Sequence, residues 1–423
     1  MKRFDALPFA CNRAARLIAT PSAIVLITLC LAYFTSGAAW KTWATSKATS
    51  FHNLAISDEI SGPDDLAASI PFDASLPEDA VASRTTANPA LSRWLANAVS
   101  KDLNIVRERI LLSGGSFDTQ AHIPQINAVL VDARSQIRAM VSNARSRYFG
   151  SDALPVASTG KIFVALALGR HDSPDAQYCS PLPVTSWQTI DAVLSTDCGT
   201  TGRMVSARAA FARSMPRPIL WRSFQTLSED ELRNVFQQLG ITNLNYPSLI
   251  ASATFGSIKV PPVYLHRAAL AITLAFAGRR ESAQTPTLIE EVTTGNPPHL
   301  QPVARPAISV DQYDSVIGND ARAYASDILA APFRQGTLHE LVDFTDRGEI
   351  MWLWGKTGTY AVNGNTKHIW IVGGLVVNGE PYSYLVLAAA PDADHSFGNA
   401  NASVFAPLAG DLIEAAIHDD QSK

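Results

Sequence analysis

Strand-like runs lie towards both ends of this 423-residue chain, and helical patterns fill the stretch between them. Apolar runs bounded by turn residues predict strands at 126–132, 137–141, 350–359, 367–377 and 382–390. Helical periodicity predicts helices at Leu91–Val106, 158–168, 204–214, 229–239, 262–278 and Ala402–His418. We therefore expect an α/β chain of the α+β type, in which one antiparallel sheet is assembled from the two ends, helices flank it, and the middle forms an all-helical lobe.

Composition places the chain among globular proteins. Hydrophobic residues make up 47% of it and charged residues 17%, which is enough apolar material for a large core and more than one lobe. The net charge is −4, so nothing indicates nucleic-acid binding. The nine histidines are scattered, and no Cys/His spacing is typical of a metal site. No cofactor is expected.

Ser158 and Lys161 begin an apolar helical run and form a Ser-x-x-Lys motif. Residues three apart share one face of a helix, so the amine lies close enough to take the proton of the hydroxyl. Burial in this apolar run would lower the pKa of Lys161 towards neutrality and suit it as a base. The alternative role for Ser158 is an ordinary helix N-cap. A phosphate loop is excluded, because residue 155 is not glycine and Ile162 replaces the Mg²⁺-binding Ser or Thr.

A second motif, Lys356-Thr357-Gly358-Thr359, lies on a predicted strand almost two hundred residues later. A lysine on such a strand supplies a cation for a substrate carboxylate, hydroxyls donate to the same group, and glycine lets a substrate backbone approach closely. The alternative is a solvated strand lysine beside a surface turn. Together, the two motifs indicate acyl-serine chemistry.

The chain resembles the transpeptidase domain of the penicillin-binding proteins from about residue 90 to the C-terminus. The resemblance rests on the two motifs and on further segments in the same order, namely 126–132, 137–141, Met204–Ser214, Leu239–Asn243, Phe255–Ser257, Pro261–Pro262 and Gly336–Thr337. It implies the penicillin-binding/β-lactamase-like transpeptidase fold, with the active site between the two lobes. It also implies that Ser158 is the nucleophile, that Lys161 is its base, and that Lys356, Thr357, Gly358 and Thr359 bind substrate. The backbone N–H groups of Ser158 and Thr359 would then form the oxyanion hole.

The third motif of this family departs from its pattern. Relatives have Ser-x-Asn at the end of the helix that corresponds to Val205–Arg213, whereas this chain has Ser214-Met215-Pro216. Ser214 is retained as a catalytic candidate that moves protons. Pro216 offers no amide group and lacks a backbone N–H, so it is not carried over as a ligand.

Aromatic residues near the second motif have two interpretations. Trp352, Trp354, Trp370 and Tyr360 would either wall a cleft or pack in the core. His368 stands where many relatives have an acidic residue before an aromatic, and it is either a satisfied strand residue or a catalytic group.

The N-terminal part predicts a membrane anchor. Leu17–Trp40 is 24 residues long without a charged residue, enough for a tilted helix across a bilayer. Basic residues precede it, so residues 1–16 are expected in the cytoplasm and everything after residue 40 outside the inner membrane, in the periplasm. The alternative is a cleaved signal peptide, since Gly37 and Ala39 resemble a cleavage site.

Residues 41–88 separate this anchor from the domain at 89–423. From residue 57 to residue 88, seven acidic side chains are balanced only by Arg84, a composition typical of an acidic flexible tether. A binding region for a partner is the alternative. The segment is too short for the glycosyltransferase module of bifunctional relatives, so the resemblance implies a monofunctional protein.

Two cysteines, Cys179 and Cys198, lie in the part expected to be exported, with 18 residues between them. An oxidising compartment permits a disulfide between them, and two buried thiols are the alternative.

The resulting hypothesis is a membrane-anchored penicillin-binding protein that acts as a peptidoglycan D,D-transpeptidase, or as a D,D-carboxypeptidase, with weak activity because of the altered third motif. Its expected partners are peptide stems of peptidoglycan, β-lactams as covalent ligands, and cell-wall synthesis proteins. The alternative function is a catalytically weak or inactive homologue that serves as a scaffold or as a sensor of muropeptides or β-lactams. A β-lactamase would need an added base for deacylation, and no motif supplies one.

Overall fold

The computed structural model describes residues 81–115, 124–181, 202–294 and 299–423, together with residues 71, 73, 74 and 198. All of them belong to one compact unit, Leu54–Lys423. The predicted cytoplasmic segment 1–16, the predicted anchor 17–40 and most of the predicted tether 41–88 lie outside the described residues. Among the described helices, none combines the length and the apolar character needed to cross a bilayer.

The described strands and helices follow one another in the expected sequence of strand-rich, helical and strand-rich parts. The strands are β1 (Val81–Thr85), β2 (Gln125–Asp132), β3 (Ile137–Ser142), β4 (Leu154–Pro155), β5 (Gln177–Pro181), β6 (Gly202–Ser206), β7 (Lys259–Val260), β8 (Ala283–Gln284), β9 (Ile289–Thr294), β10 (His299–Pro302), β11 (Ala307–Ile308), β12 (Ile350–Val362), β13 (Asn365–Val377) and β14 (Glu380–Ala389). The α-helices are α1 (Pro89–Leu112), α2 (Arg145–Phe149), α3 (Lys161–Leu168), α4 (Ala207–Ala212), α5 (Pro216–Thr226), α6 (Glu229–Gln238), α7 (Leu249–Phe255), α8 (Pro262–Phe276), α9 (Val310–Val316), α10 (Asn319–Gln335) and α11 (Ala406–Gln421).

The central sheet has five strands in the order β12-β13-β14-β2-β3, and every neighbouring pair is antiparallel. Strand β14, from the C-terminal part, pairs with β2, so the two ends of the domain meet at the register Leu385↔Val129. The predicted sheet built from both ends is confirmed. β12, which carries Lys356, is an edge strand of this sheet.

Both faces of the sheet are covered by helices. Side chains alternate along β2, so that Leu130 joins the core formed with α1 and α11, while Val129 and Val131 join the core on the opposite face. Helix α8 packs on that opposite face, against β13 and β14, and its residues from Leu265 to Ala275 are all buried. Because α8 is buried on all sides, its sequence is mostly apolar rather than amphipathic.

The lobe between the two halves of the sheet is mainly helical, and it contains helices that the sequence analysis did not predict, α5, α7, α9 and α10. The predicted helix at 204–214 is only partly helical. Met204–Ser206 belongs to strand β6, which pairs with β5, and the helix predicted at 204–214 begins only at Ala207. Ser206 caps that helix by accepting a hydrogen bond from Ala209 N. A disulfide joins Cys179 of β5 to Cys198, the pair that the sequence permits.

The domain begins before residue 89. Strand β1 (Val81–Thr85) pairs antiparallel with β9, and the buried Thr86 hydroxyl donates to the backbone of Ile137 and of Thr287. The last residues of the predicted tether are therefore part of the fold, because this strand satisfies its backbone groups on the domain.

Candidate active site

Ser158 lies in a short 3₁₀ helix, Ala157–Gly160, that runs directly into α3. Its side chain caps neither helix, which removes the N-cap alternative. The segment is held in a sparsely populated backbone conformation, because Ala157 has a φ of 51°. Ala157 N donates to Gly256 O at 2.9 Å, and a Cβ at Gly256 would lie 2.0 Å from the Ala157 backbone. Only glycine at position 256 allows this close backbone contact next to Ser158.

Lys161 reaches the serine from the first turn of α3. Its Nζ donates to Ser158 Oγ at 2.7 Å, while the lysine itself is only 1% exposed. Burial lowers the pKa of Lys161 to about 7, because an apolar environment disfavours the charged form. The amine thus has both the position and the basicity that proton transfer from the serine requires at neutral pH.

Ser214 follows the C-terminal end of α4. It has a left-handed backbone with φ of 55°, unusual for a serine. Lys356 Nζ donates to Ser214 Oγ at 2.8 Å and to Thr357 O at 2.9 Å. The three predicted motifs, which lie far apart in sequence, therefore meet in one site.

The strand that carries Lys356 packs directly against the serine segment. A Cβ at Gly358 would lie 2.8 Å from Val156 O and 3.2 Å from the Ala157 side chain, so only glycine allows this approach without displacement. Trp370 on the neighbouring strand β13 ties the two parts together, because its Nε1 donates to Pro155 O at 2.9 Å. The sheet and the segment that carries Ser158 are thereby held in fixed positions relative to each other.

The hydroxyls of the second motif have different partners. Thr357 Oγ1 donates to Thr337 Oγ1 at 2.7 Å, whereas Thr359 Oγ1 accepts from Ala402 N at 3.0 Å. The sequence includes Thr337 only as part of the family resemblance and assigns it no contact in the site. It gives no indication of the Ala402 amide, since a backbone donor carries no residue-type signal.

The site contains two buried lysine side chains, those of Lys161 and Lys356. Lys356 is 1% exposed, and burial followed by the nearby Lys161 cation lowers the pKa of Lys356 well below its ordinary value. Among the described residues, no carboxylate offsets the lowering of either pKa. Within the described ranges, no cluster of His, Cys, Asp and Glu side chains fits a metal ion. The described groups are two lysine amines, each in contact with a serine hydroxyl.

Pro216 lies where relatives have asparagine, and it is exposed at the start of α5. Proline is favourable at the first position of a helix because its fixed φ suits that position and its missing N–H is not needed there. The residue thus has a local structural role. It provides no hydrogen bond for Lys161, whose Nζ donates to Ser158 Oγ.

Most of the aromatic residues near the second motif are core residues. Trp354 and Trp370 are fully buried, and Trp352 packs on Phe276 with 4.2 Å between ring centroids. The cleft-wall interpretation is therefore wrong for these three tryptophans. His368 stacks on Tyr360 at 5.7 Å, and burial, with Arg147 and Lys367 nearby, lowers the pKa of His368 to about 4. The stacking supports the interpretation as a residue of strand β13, although His368 Nδ1 is buried without a hydrogen-bond partner among the described residues.

No family model matches this chain, and no curated protein sequence matches it. Solved structures do. PonA1 from Mycobacterium tuberculosis, in complex with penicillin V, is 17% identical, with a TM-score of 0.51 over 80% of this chain and 86% of that chain. Penicillin-binding protein 3 from the same organism, complexed with aztreonam, is 16% identical, with a TM-score of 0.51 over 80% and 79%.

A third structure, the imipenem acyl-enzyme complex of penicillin-binding protein A from M. tuberculosis, is 16% identical, with a TM-score of 0.50 over 79% of each chain. This chain has the penicillin-binding protein fold. The resemblance predicted from the motifs is confirmed at the level of the fold. In this penicillin-binding protein fold, Ser158, Lys161, Ser214 and Lys356 lie together between the sheet and the helical lobe.

Proposed function

We propose that this protein is a serine acyltransferase that acts on D-Ala-D-Ala peptide stems of peptidoglycan, as a D,D-transpeptidase or D,D-carboxypeptidase. The observation that carries the proposal is the 2.7 Å hydrogen bond between Lys161 Nζ and Ser158 Oγ in a buried setting. The cation of Lys356 beside Ser214 supports a substrate that ends in a carboxylate. A D-Ala-D-Ala stem has this carboxylate and, one residue away, the carbonyl that a serine would attack.

The proposed reaction uses each of these groups. Neutral Lys161 takes the proton of Ser158 Oγ as that oxygen bonds to the carbonyl carbon. The negative charge on the carbonyl oxygen is received by the backbone N–H groups of Ser158 and Thr359. When the peptide bond breaks, the terminal D-Ala nitrogen receives a proton, with Ser214 in the relay. An amine or water then attacks the acyl-serine ester, Ser158 regains its proton, and the new amide or acid is released.

β-Lactams are the proposed covalent ligands of the same site. A penicillin also has a carboxylate near a reactive carbonyl, so Lys356 and Ser158 would engage it as they engage the peptide. The complexes of PonA1 with penicillin V and of penicillin-binding protein A with imipenem support this, because those proteins share the fold.

The proposed location is the inner membrane, with a single N-terminal span and the domain in the periplasm. Support comes from the uncharged run Leu17–Trp40 after a basic segment. Such an anchor would hold the domain near the cell wall and near other cell-wall synthesis proteins. The Cys179–Cys198 disulfide is consistent with an oxidising compartment.

One observation favours a second candidate function, a scaffold or a sensor of muropeptides or β-lactams with little or no turnover. Pro216 stands where relatives have an asparagine that bonds the substrate peptide, and its ring supplies no donor or acceptor. The positions of Ser158 and Lys161 favour the enzyme.

Covalent labelling separates a protein that forms an acyl-serine from a scaffold that does not. The purified full-length chain is incubated with a fluorescent penicillin, and the labelled residue is identified by mass spectrometry. We expect an adduct on Ser158, and we expect Ser158→Ala to abolish it, because Ser158 Oγ is the hydroxyl that the Lys161 amine contacts at 2.7 Å. A chain that folds but takes no label would favour the scaffold, and an adduct on another residue would remove Ser158 as the nucleophile.

A further inference from the structure

Thr337 connects two arms of the site. Its backbone N–H donates to Ala212 O at 3.2 Å, in the last turn of the helix that leads to Ser214. Its side chain accepts from the Thr357 hydroxyl at 2.7 Å. One residue therefore touches both the segment before Ser214 and the strand of Lys356.

Gly336, the residue before Thr337, shows how closely this loop packs against the end of α4. A Cβ at Gly336 would lie 2.0 Å from Ala212 O and 2.6 Å from the Ala212 carbonyl carbon. Gly336 therefore allows the loop to approach the end of α4 at backbone contact distance. Thr337 is held in register by this contact and has little freedom to move away from Thr357.

The two hydroxyls beside Lys356 differ in where their protons point. Thr359 Oγ1 accepts the N–H of Ala402, so its own proton remains available for donation to a ligand. Thr357 Oγ1 instead directs its proton to Thr337 Oγ1. A hydroxyl is both donor and acceptor and can rotate, so this pair can reverse its direction.

We propose that Thr337 is a positioning residue for the carboxylate subsite. When a carboxylate reaches Lys356, the Thr357 hydroxyl turns to donate to it, and the Thr337 hydroxyl donates to Thr357 Oγ1 in return. The second bond fixes the orientation of Thr357 and polarises it, which strengthens its bond to the anion. The inference rests on the proposed function only in taking the ligand to carry a carboxylate at Lys356.

The test measures non-covalent binding, so it does not depend on acyl transfer. In a Ser158→Ala background, the affinities of benzylpenicillin and of its methyl ester are compared by calorimetry. We expect the acid to bind more tightly than the ester. Thr337→Val, which keeps the shape and removes the hydroxyl, should weaken the acid by roughly 10-fold and leave the ester almost unchanged. Thr337→Ser should restore most of the preference.

Thr287→Val is the matched control, because the buried Thr287 hydroxyl also makes a hydrogen bond, to Ile289 O at 3.0 Å, outside this site. It should change thermal unfolding without changing the acid-to-ester ratio. An unchanged ratio in Thr337→Val, or equal weakening of both ligands, would overturn the proposal. So would the absence of any preference for the acid in the Ser158→Ala background. A preserved preference in a protein whose wild type takes no covalent label would instead reject only the proposed acyl transfer.

Discussion

The candidate site and the far edge of the sheet shift the pKa values of their cations in opposite directions. At the far edge, Arg138 donates to Asp419, whose side chain is fully buried. Burial opposes the charge of Arg138, but the hydrogen bond and charge of Asp419 outweigh it and raise the pKa of Arg138. In the candidate site, Lys161 and Lys356 are almost fully buried, none of the described carboxylates pairs with them, and burial lowers the pKa of both.

This difference separates structural charges from functional ones. When a cation pairs with a carboxylate of the same chain, its charge is compensated within the fold. Two adjacent buried lysines without a described carboxylate partner destabilise the fold when both are charged, so this arrangement favours a neutral form of one lysine or a ligand that supplies the missing negative charge. We propose the neutral form for Lys161 and a charge supplied by the ligand for Lys356.

Replacement of Lys161 by Met should have the largest effect. We expect the second-order rate of penicillin acylation to fall by roughly 10²- to 10⁴-fold, because the base that takes the serine proton is lost. The folded state should become more stable. Lowering the pKa from 10.5 to about 7, at about 1.36 kcal/mol for each pH unit, corresponds to about 5 kcal/mol of destabilisation at low pH, part of which the methionine removes.

Asp419→Ala is the opposite change and serves as the control. It removes the buried carboxylate that accepts hydrogen bonds from Arg138 and Tyr382, so the free energy of unfolding should fall by about 1.5–3 kcal/mol, while the acylation rate of the folded protein stays close to that of wild type. Thermal unfolding and acylation are measured for both variants. If Lys161→Met lost stability and kept its rate, Lys161 would be a structural cation and the contrast would be incorrect.

The same contrast shows what the sequence could predict. Local patterns were sufficient for the central sheet, because short apolar runs such as Gln125–Asp132, bounded by turn residues, are typical of strands that are buried on both faces. They were also sufficient for Ser158 and Lys161, which are three residues apart. Strand β6 was missed, because its conformation depends on pairing with β5, and a long-range partner leaves no local signal.

Contacts between distant segments account for the rest of the site. The hydrogen bond between Lys356 and Ser214 joins residues 142 positions apart, and only the family resemblance, not the residues themselves, suggested that they meet. The left-handed backbone of Ser214 could not be inferred, because serine rarely adopts it. Thr337 was overlooked as a functional residue because its role arises from two contacts formed only in the folded chain.

Pro216→Asn should have the next largest effect on the rate of acylation. It tests whether the candidate site is a weakened catalytic site. An asparagine would restore an amide able to bond the substrate peptide and Lys161. If the site is a weakened enzyme, we expect acylation to accelerate by roughly 10²-fold, by analogy with restoring one oxyanion-hole donor. The measurement is the second-order rate of acylation by penicillin.

Pro216→Ala separates the amide from the loss of the ring. Both variants remove proline from the first turn of α5 and should lower its stability slightly, but alanine should leave the rate unchanged. An equal rate for all three well-folded proteins would mean that residue 216, which is exposed, does not reach the site, or that the domain is not catalytic.

The pH dependence should show the smallest effect, about 10-fold for each pH unit. Burial lowers the pKa of Lys161 to about 7, and the amine acts as a base only when it is neutral. The acylation rate should therefore be lost as pH falls below about 7 and should level off above it. Stability follows the same group with a defined sign. Between about pH 7 and 10.5 the unfolded chain binds the proton more strongly, so stability rises with pH across that window.

Lys161→Met is the decisive comparison for this profile, because it removes the titrating amine. Its residual rate should be nearly independent of pH between 6 and 8, and its stability should rise less between pH 7 and 10. Lys356 also titrates at a lowered pKa, but a bound carboxylate favours its charged form, so saturating ligand should shift only the contribution of Lys356. A wild-type rate that does not change between pH 6 and 8, in a protein that is labelled on Ser158, would show that a group other than Lys161 takes the serine proton.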